Sequence, residues 1–235
     1  MKLTWYGHSC FTVETGKAKI IIDPFLSHSP TWGKGWEGPA EGVTHILVTH
    51  GHNDHVGDAV AIQKKTGAML VSNFEICMFL VGQGADGNRI NPGNFGGTVD
   101  CGGFTATFTL ALHSSSFSGE NGANTYLGNP GGFVLHFPEE KTLYHMGDTD
   151  IFSDMQLINE LHEPKVGIVP VGDRFTMGGA VAALACRRFF DFETAIPCHF
   201  GTFGMLDQSP EKFVEGMKGH ATSVVLPVIG QSFEV

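Results

Sequence analysis

The sequence predicts a mixed α/β or α+β fold with extensive sheet, and three observations support this. Short runs rich in β-branched and aromatic residues alternate along the chain with runs of helical period. Charged residues make up only 16% of the chain, against about 25% in an average protein, which indicates a large buried interior. The 32 glycines indicate many tight loops. No segment resembles a linker, so we expect one domain over residues 1–235.

The predicted strands are short and mostly apolar. In the segment 104–112 the large apolar residues fall at alternate positions apart from one alanine, which predicts a strand with one face turned to the core. The same kind of pattern predicts strands at 3–6, 10–14, 18–23, 45–49, 68–71, 104–113, 132–137, 142–146, 166–171, 194–198 and 224–229.

The predicted helices are recognised by their start signals and apolar stripes. Ser72 and Glu75 have the spacing of a capping box, and apolar residues follow with helical period. Ser209-Pro210 is a second start signal. The segment 114–132, rich in Gly, Ser and Asn, is predicted to be a loop that lines a site. Helices are expected at 54–65, 73–81, 154–161, 178–190 and 210–217.

Charge and composition argue against several classes of function. The net charge of −10 disfavours binding to nucleic acid, because the phosphate backbone is itself negative. No run of 18 apolar residues and no apolar signal core is present, so we expect a cytoplasmic protein without a membrane span. The five cysteines include no C-x-x-C pair, which argues against a disulfide framework or a thiolate zinc site.

Four potential metal ligands lie within the six residues 50–55: His50, His52, Asp54 and His55. On an extended segment, side chains two apart point to the same side, so His50 and His52 can chelate one ion. Asp54 and His55 begin the predicted helix and can turn toward a second ion. A polar loop of solvated histidines is the alternative, but it does not explain the further ligands described next.

Three more candidate ligands follow separate predicted strands: His113, Asp148 and His199. Apolar strands aligned in sheets would bring these strand ends, and that of His50, to one rim. One catalytic ion takes about three protein ligands plus water, so seven groups suit two ions that share a bridging carboxylate. The predicted assignment is His50, His52 and His113 to one ion, Asp54, His55 and His199 to the other, and Asp148 as the bridge.

The motif T-H-x-H-x-D-H after a strand, followed by isolated His, Asp and His, resembles the metallo-β-lactamase superfamily across essentially the whole chain. Other segments resemble its uncharacterised metal-dependent hydrolase branch, whose relatives include ascorbate-6-phosphate lactonases: Tyr6-Gly7-His8-Ser9, Asp23-Pro24, Gly147-Asp148-Thr149, Asp173-Arg174-Phe175-Thr176-Met177-Gly178 and His199-Phe200-Gly201-Thr202. The resemblance implies an αββα sandwich of two mixed β-sheets flanked by helices, with a dinuclear site at one edge of the sheets.

These features predict a metal-dependent hydrolase with two divalent metal ions. A metal can lower the pKa of its bound water from 15.7 to about 7, so we expect a hydroxide bridging both ions to attack a small ester, lactone, amide or phosphoester. Asp54 is expected to orient that hydroxide or accept a proton, besides binding metal. All donors are N or O, so zinc is expected first, with manganese, nickel or iron as alternatives. The site keeps a net positive charge, which favours an anionic small-molecule substrate.

Two further residues are candidates for catalysis or substrate contact. By the resemblance His8 lies near the active site, where it either contacts substrate and ligands or packs locally. Arg174 follows the predicted strand 166–171 and either forks onto a substrate carboxylate or phosphate or makes a surface salt bridge. Asp23 is expected to orient a ligand histidine through its ring N–H. The segment 27–42 contains Trp32 and Trp36 and forms a lid over the metals, packs onto the surface of the domain, or forms an interface with another subunit. The oligomeric state is left open, with a homo-oligomer as one alternative.

Two other classes of function stay open at this point. A non-haem iron redox enzyme is conceivable on the same scaffold, although no flavin or Fe–S segment is evident. A non-catalytic binding protein stabilised by metals is the other, and the complete ligand set argues against it.

Overall fold

Two sheets and the helices outside them account for nearly all regular structure in this computed structural model, which describes all residues Met1–Val235. The strands are β1 (Lys2–Trp5), β2 (Phe11–Glu14), β3 (Lys19–Ile22), β4 (His45–Leu47), β5 (Met69–Asn73), β6 (Ile90–Gly93), β7 (Thr98–Asp100), β8 (Thr105–Leu110), β9 (Ser116–Ser118), β10 (Asn124–Tyr126), β11 (Gly131–His136), β12 (Leu143–His145), β13 (Val166–Pro170), β14 (Thr194–Cys198), β15 (Ser223–Val224) and β16 (Ser232–Glu234). The helices are α1 (Glu37–Ala40), α2 (Asn53–Val56), α3 (Ala59–Thr66), α4 (Phe74–Gly82), α5 (Met155–His162), α6 (Gly179–Phe189) and α7 (Glu211–Met217).

Each main sheet has seven strands and is half antiparallel and half parallel. The first has the order β16-β1-β2-β3-β4-β5-β6, and the second has the order β15-β14-β13-β12-β11-β8-β7. Short connections join the antiparallel neighbours β1–β2, β2–β3, β7–β8 and β11–β12, whereas the parallel neighbours β4–β5 and β13–β14 are joined by crossovers that contain helices. A third, two-stranded sheet consists of β9 and β10 alone.

Three apolar clusters show that the layers are stacked as helix, sheet, sheet and helix. The largest lies between the sheets and includes Ile22 of β3, Phe108 of β8 and Phe133 of β11. A second cluster packs α3 and α4 against the outer face of the first sheet. A third packs α5, α6 and α7 against the outer face of the second sheet. The αββα sandwich of two mixed sheets is therefore confirmed.

Phe133 provides a test of the layer between the sheets. Its side chain is 1% exposed and its ring centroid is 5.2 Å from that of Phe108. We expect Phe133→Ala to lower the free energy of unfolding by about 3–5 kcal/mol, because the cavity cannot close between two sheets. Urea unfolding followed by circular dichroism measures this. Leu161→Ala, at a side chain 74% exposed on α5, should cost less than about 1 kcal/mol; equal losses would contradict the proposed packing.

Several element predictions need correction. The helix predicted at 54–65 is two helices, α2 and α3, because the chain turns at Gly57 (φ +43°), where a Cβ would overlap the Pro24 carbonyl oxygen. The capping box is wrong: Asn73 caps α4 by accepting from Ile76 N–H, while the Ser72 hydroxyl donates to the Val48 carbonyl.

Other differences concern short or exposed elements. The segment 114–132 is not only loop, since it contains the β9–β10 hairpin. The strand predicted at 224–229 ends at Val224 as β15. Sequence patterns missed β6, β7, β16 and α1, which are three or four residues long and have no clean alternation. No helix combines the length and the apolar character that crossing a membrane would require.

Candidate metal centre

The first sheet delivers three of the candidate residues to one edge. Strands β1, β3 and β4 run in the same direction, because β2 is antiparallel to both β1 and β3 while β3 and β4 are parallel. The residues just beyond their carboxyl ends are His8, Asp23 and His50. All three side chains are buried.

The second sheet delivers three more in the same way. Strands β8, β12 and β14 share one direction, since β11 is antiparallel to both β8 and β12 and the strands from β12 to β14 are parallel. His113, Asp148 and His199 follow their carboxyl ends. The structure therefore brings all seven sequence-predicted ligands to one rim, although they span residues 50 to 199.

One group of nitrogens comes from His50, His52 and His113. His52 Nδ1 lies 2.9 Å from His50 Nε2 and 3.3 Å from His113 Nε2. These atoms are close enough to contact one ion together. His50 and His52 meet across Gly51: His50 and Gly51 form a bend and His52 itself is extended, so the chain between them is not the continuous extended segment that the spacing predicted.

The second group consists of Asp54 and His55 of α2 together with His199 and His8. Asp54 Oδ2 lies 3.1 Å from His8 Nε2, and the ring centroids of His8 and His199 are 4.0 Å apart. His8 also contacts Thr202 Oγ1 through Nδ1 at 3.1 Å. Its complete burial shows that His8 is part of the cluster and not a residue of the outer loop surface.

Asp148 lies between the two groups. Its Oδ2 is 2.9 Å from His199 Nε2 and 3.4 Å from His55 Nε2. The same oxygen is 3.6 Å from His113 Nε2 and 4.0 Å from His50 Nε2. One carboxylate oxygen thus faces imidazoles of both groups.

The pKa shifts of the cluster side chains favour the protonation states that bind a cation. Burial lowers the pKa of His50, His52 and His113, which keeps these imidazoles neutral with a lone pair available. Burial opposes ionisation of Asp148, but His199 and His55 hold the pKa of its carboxyl well below the usual range. Burial likewise opposes ionisation of Asp54, but the His8 hydrogen bond together with the charges of His55 and His8 outweighs it, so the pKa of Asp54 is lowered.

Two buried polar atoms at the centre have no hydrogen-bond partner: His55 Nε2 and Asp148 Oδ1. Buried polar atoms are nearly always paired, and here the nearby Asp148 and Asp23 carboxylates raise the pKa of His55 against the effect of burial, so these carboxylates favour positive charge at this position. The unpaired atoms therefore indicate a missing partner of positive charge. Divalent ions that accept N and O ligands fit this donor set. The residues present therefore fit the metal centre that the sequence predicted.

Asp23 contacts Thr49 and the candidate ligand His55 by hydrogen bonds. Its Oδ1 accepts a hydrogen bond from the Thr49 backbone N–H at 2.8 Å, and its Oδ2 accepts from the Thr49 hydroxyl at 2.7 Å. His55 Nδ1 lies 2.8 Å from the same Oδ2, which directs His55 Nε2 toward Asp148. The predicted contact between Asp23 and a ligand histidine is present.

We expect Asp23→Asn to weaken metal binding by about 10- to 100-fold, because a neutral amide loses an acceptor and no longer orients His55. Competition with a chromophoric zinc chelator measures the dissociation constant. Asp100→Asn is the control, since Asp100 is exposed on β7 and its side chain bonds only to the backbone of Gly102. Equal zinc affinities in the two variants would show that Asp23 does not orient the ligand.

Backbone strain is concentrated at this edge. Six residues other than glycine have positive φ, and five of them lie in the turns that follow β1, β3, β13 and β14: His8, Asp23, Asp173, Arg174 and His199. Such conformations cost about 1–3 kcal/mol each and persist where the surrounding structure imposes them, often at functional sites. The strain is therefore an indication of function that is independent of side-chain type.

Arg174 is exposed and forms no ion pair, so the predicted salt bridge is not found. Its guanidinium carbon lies 5.6 Å from the Phe175 ring centroid. The turn that carries it is tied to the neighbouring ligand loops, because Met177 N–H donates to the Thr149 carbonyl and Asp207 N–H donates to the Gly172 carbonyl.

The aromatic residues of segment 27–42 pack on the protein itself. The Trp32 ring meets Tyr6 edge-on at 4.9 Å and donates its Nε1–H to the Gly35 carbonyl. Trp32 and Trp36 both contact the cluster beneath the first sheet. Packing onto the domain surface therefore describes these tryptophans better than a lid.

Sequence reasoning did not identify the partners of several supporting groups. Thr202 contacts His8, and Gly172 lies against His199 so closely that a Cβ would be 2.8 Å from His199 Nδ1. Ser115 accepts a hydrogen bond from Gly51 N–H within the histidine motif. Thr202 belongs to the segment His199-Phe200-Gly201-Thr202 quoted for the resemblance, and Ser115 follows the predicted ligand His113 closely in the sequence. The sequence does not specify the partners of these residues, because their contacts are made across the fold.

The chain is similar to known proteins in both sequence and structure. Residues 2–199 match the family described as beta-lactamase superfamily domain. The chain is 70% identical to a UPF0173 metal-dependent hydrolase of Mesorhizobium japonicum over 100% of both sequences. A metallo hydrolase from the archaeon Ignicoccus hospitalis has a similar structure, with a TM-score of 0.87, 32% identity and coverage of 100% of this chain and 98% of that one. CmlA, a diiron beta-hydroxylase from Streptomyces venezuelae, shares the fold at TM-score 0.72 and 12% identity, over 100% of this chain and 54% of that one.

Proposed function

The chain belongs to the metallo-β-lactamase superfamily and is a metal-dependent hydrolase, and from that premise we propose that it holds two divalent ions and hydrolyses a small anionic ester, lactone, amide or phosphoester. The observation that carries this proposal is the position of Asp148, whose Oδ2 faces imidazoles of both ligand groups.

Each ion has its own set of side chains in this proposal. His50, His52 and His113 hold one ion, as the 2.9 and 3.3 Å separations of their nitrogens support. Asp54, His55 and His199 would hold the other, and Asp148, which faces both sets, would be shared between them. Zinc is the first candidate and manganese the second, because every donor atom is N or O.

When bound, the two ions would polarise the scissile carbonyl or phosphoryl group and lower the pKa of a water molecule toward 7. The side chains of the protein would orient the water molecule. The Asp54 side chain is 32% exposed, against 12% for His113 and 3% for Asp148, so a water molecule and a substrate can reach it. Despite burial, His8 and His55 together keep the pKa of Asp54 low, which favours an ionised carboxylate that would accept a hydrogen bond from the attacking water and orient it. His8 is thus a positioning residue.

Arg174 recognises the negative charge of the substrate in this proposal. It is exposed, has no carboxylate partner, and lies two residues beyond Gly172, which packs against His199. A guanidinium presents paired N–H donors that match a carboxylate or phosphate. In this proposal Asp148 would be shared by the two ions and Asp54 would orient the water. Arg174 would bind the negative charge of the substrate.

Metal removal tests the proposal. We expect elemental analysis to find two zinc or manganese ions per chain, and we expect dialysis against a chelator to abolish turnover of a lactone and phosphodiester panel. Adding back zinc or manganese should restore it, whereas Asp54→Asn should stay inactive after reloading. Full turnover by the chelated protein would refute the metal mechanism. Iron content with oxygen consumption would instead favour a redox enzyme.

A further inference from the structure

The β9–β10 hairpin belongs to neither main sheet, so side-chain contacts must hold it in place. Two of these contacts come from the residues of the histidine motif that are not candidate ligands. Gly51 N–H donates to Ser115 Oγ at 3.0 Å. Asn53 Nδ2 donates to the Ser118 carbonyl at 3.0 Å, and Ser118 N–H donates to Asn53 Oδ1 at 2.9 Å. The motif therefore positions the hairpin as well as the ligands.

A cleft of about 1000 Å³ lies between this hairpin, the segment 25–28 and α4. Three phenylalanines contribute to its wall: Phe25, Phe79 and Phe117. The rings of Phe79 and Phe117 are 5.0 Å apart, which is a normal aromatic contact. The volume is at the upper end of the roughly 300–1,000 Å³ found for small-molecule sites.

The cleft adjoins the candidate metal centre at two points. Asn53 lines it and lies between His52 and Asp54 in the chain. Phe25 also lines it, and its ring centroid is 5.9 Å from that of His8, which contacts Asp54. No candidate ligand lines the cleft itself, so a substrate that reacts at Asp54 would enter the cleft by passing Asn53.

The charges around the cleft select what it binds. Its lining contains no lysine or arginine, and Glu120 of the hairpin is its only carboxylate. An anionic group there would meet the Glu120 carboxylate and no lysine or arginine, with His28 as the other ionisable side chain. Arg174, by contrast, belongs to the turn after β13 of the second sheet. Arg174 does not line the cleft, so a substrate whose negative charge meets Arg174 would place a different group in the cleft.

We propose that this cleft binds an uncharged aromatic group of the substrate, stacked on Phe117, and that Asn53 is a positioning residue that fixes the hairpin wall. This inference rests on the proposed function, because it assumes that the substrate reacts at the adjoining metal centre. It adds a substrate class. These compounds carry a negative charge on one side of the scissile bond and an aromatic ring on the other side.

The test measures binding before turnover. Ligand-observed NMR on the zinc-loaded protein should show phenylacetamide binding at least tenfold more tightly than acetamide. Phe117→Ala should weaken phenylacetamide binding by about fivefold, because one aromatic contact is removed. Asn53→Ala should weaken it similarly while both metal ions are retained. Tyr126→Ala is the matched control, since Tyr126 is on the same hairpin, is 69% exposed and does not line the cleft.

Turnover separates this proposal from the hydrolase mechanism. A phenylacetyl ester should be preferred over the matching acetyl ester in kcat/KM, and Phe117→Ala should reduce that preference whereas Tyr126→Ala should preserve it. Weak phenylacetamide binding, or equal binding in all variants, would overturn the cleft proposal even if both esters are hydrolysed. Phe117-dependent binding without any ester or lactone turnover would uphold the cleft and refute the proposed reaction.

Discussion

Asp148→Asn is expected to lose most of the bound metal and about a thousandfold in kcat/KM, equivalent to about 4 kcal/mol of transition-state free energy. Asp148 Oδ2 is the atom that faces both ligand groups, at 2.9 Å from His199 Nε2 and 3.6 Å from His113 Nε2. An amide has the same shape but carries no negative charge, and its N–H₂ group would present protons to an ion. Elemental analysis and turnover of the panel's best substrate measure both effects.

Asp150→Asn is the matched control for this variant. Asp150 is two residues further along the same turn and is exposed, and its side chain bonds only to the backbone of Ile151. We expect it to retain two ions and wild-type turnover. An Asp148→Asn protein that also kept both ions and full activity would exclude the bridging role.

The second large effect is expected from Gly172→Ala. A Cβ at this position would overlap the His199 carbonyl oxygen and lie 2.8 Å from His199 Nδ1, so the His199 backbone must move. Room for that movement is limited, because His199 has φ +60° and donates its N–H to the His8 carbonyl at 2.9 Å. A displacement of about 1 Å can cost about 100-fold in rate, and we expect at least that loss in kcat/KM.

Gly204→Ala separates this effect from a general loss of loop freedom. Gly204 lies in the loop that carries His199, and a Cβ there would meet nothing within 4 Å. Its metal content and kcat/KM should stay at wild-type values. If Gly172→Ala behaves like Gly204→Ala, His199 tolerates the displacement and is not held by this contact.

Local sequence patterns account for much of the fold. Most predicted strands are present within a few residues, because alternating or continuous apolar runs leave few other ways to bury their side chains. The patterns failed for β6, β7 and β16, which are short and have little apolar alternation, so their pairing depends on neighbours already in place. They also failed at Gly57, where a close approach to Pro24 ends a helix that its periodicity would extend.

The sequence by itself determined the fold class and the seven candidate ligands, because ligand type and position after apolar strands are properties of the chain. Only the tertiary structure decided how they meet: Asp148 between the two histidine groups, Asp23 behind His55, and His8 on Asp54. It also decided that Asn53 holds a hairpin 65 residues away. These contacts join strand ends and turns from different sheets, and their distances depend on sheet order and strand direction, which residue spacing does not specify.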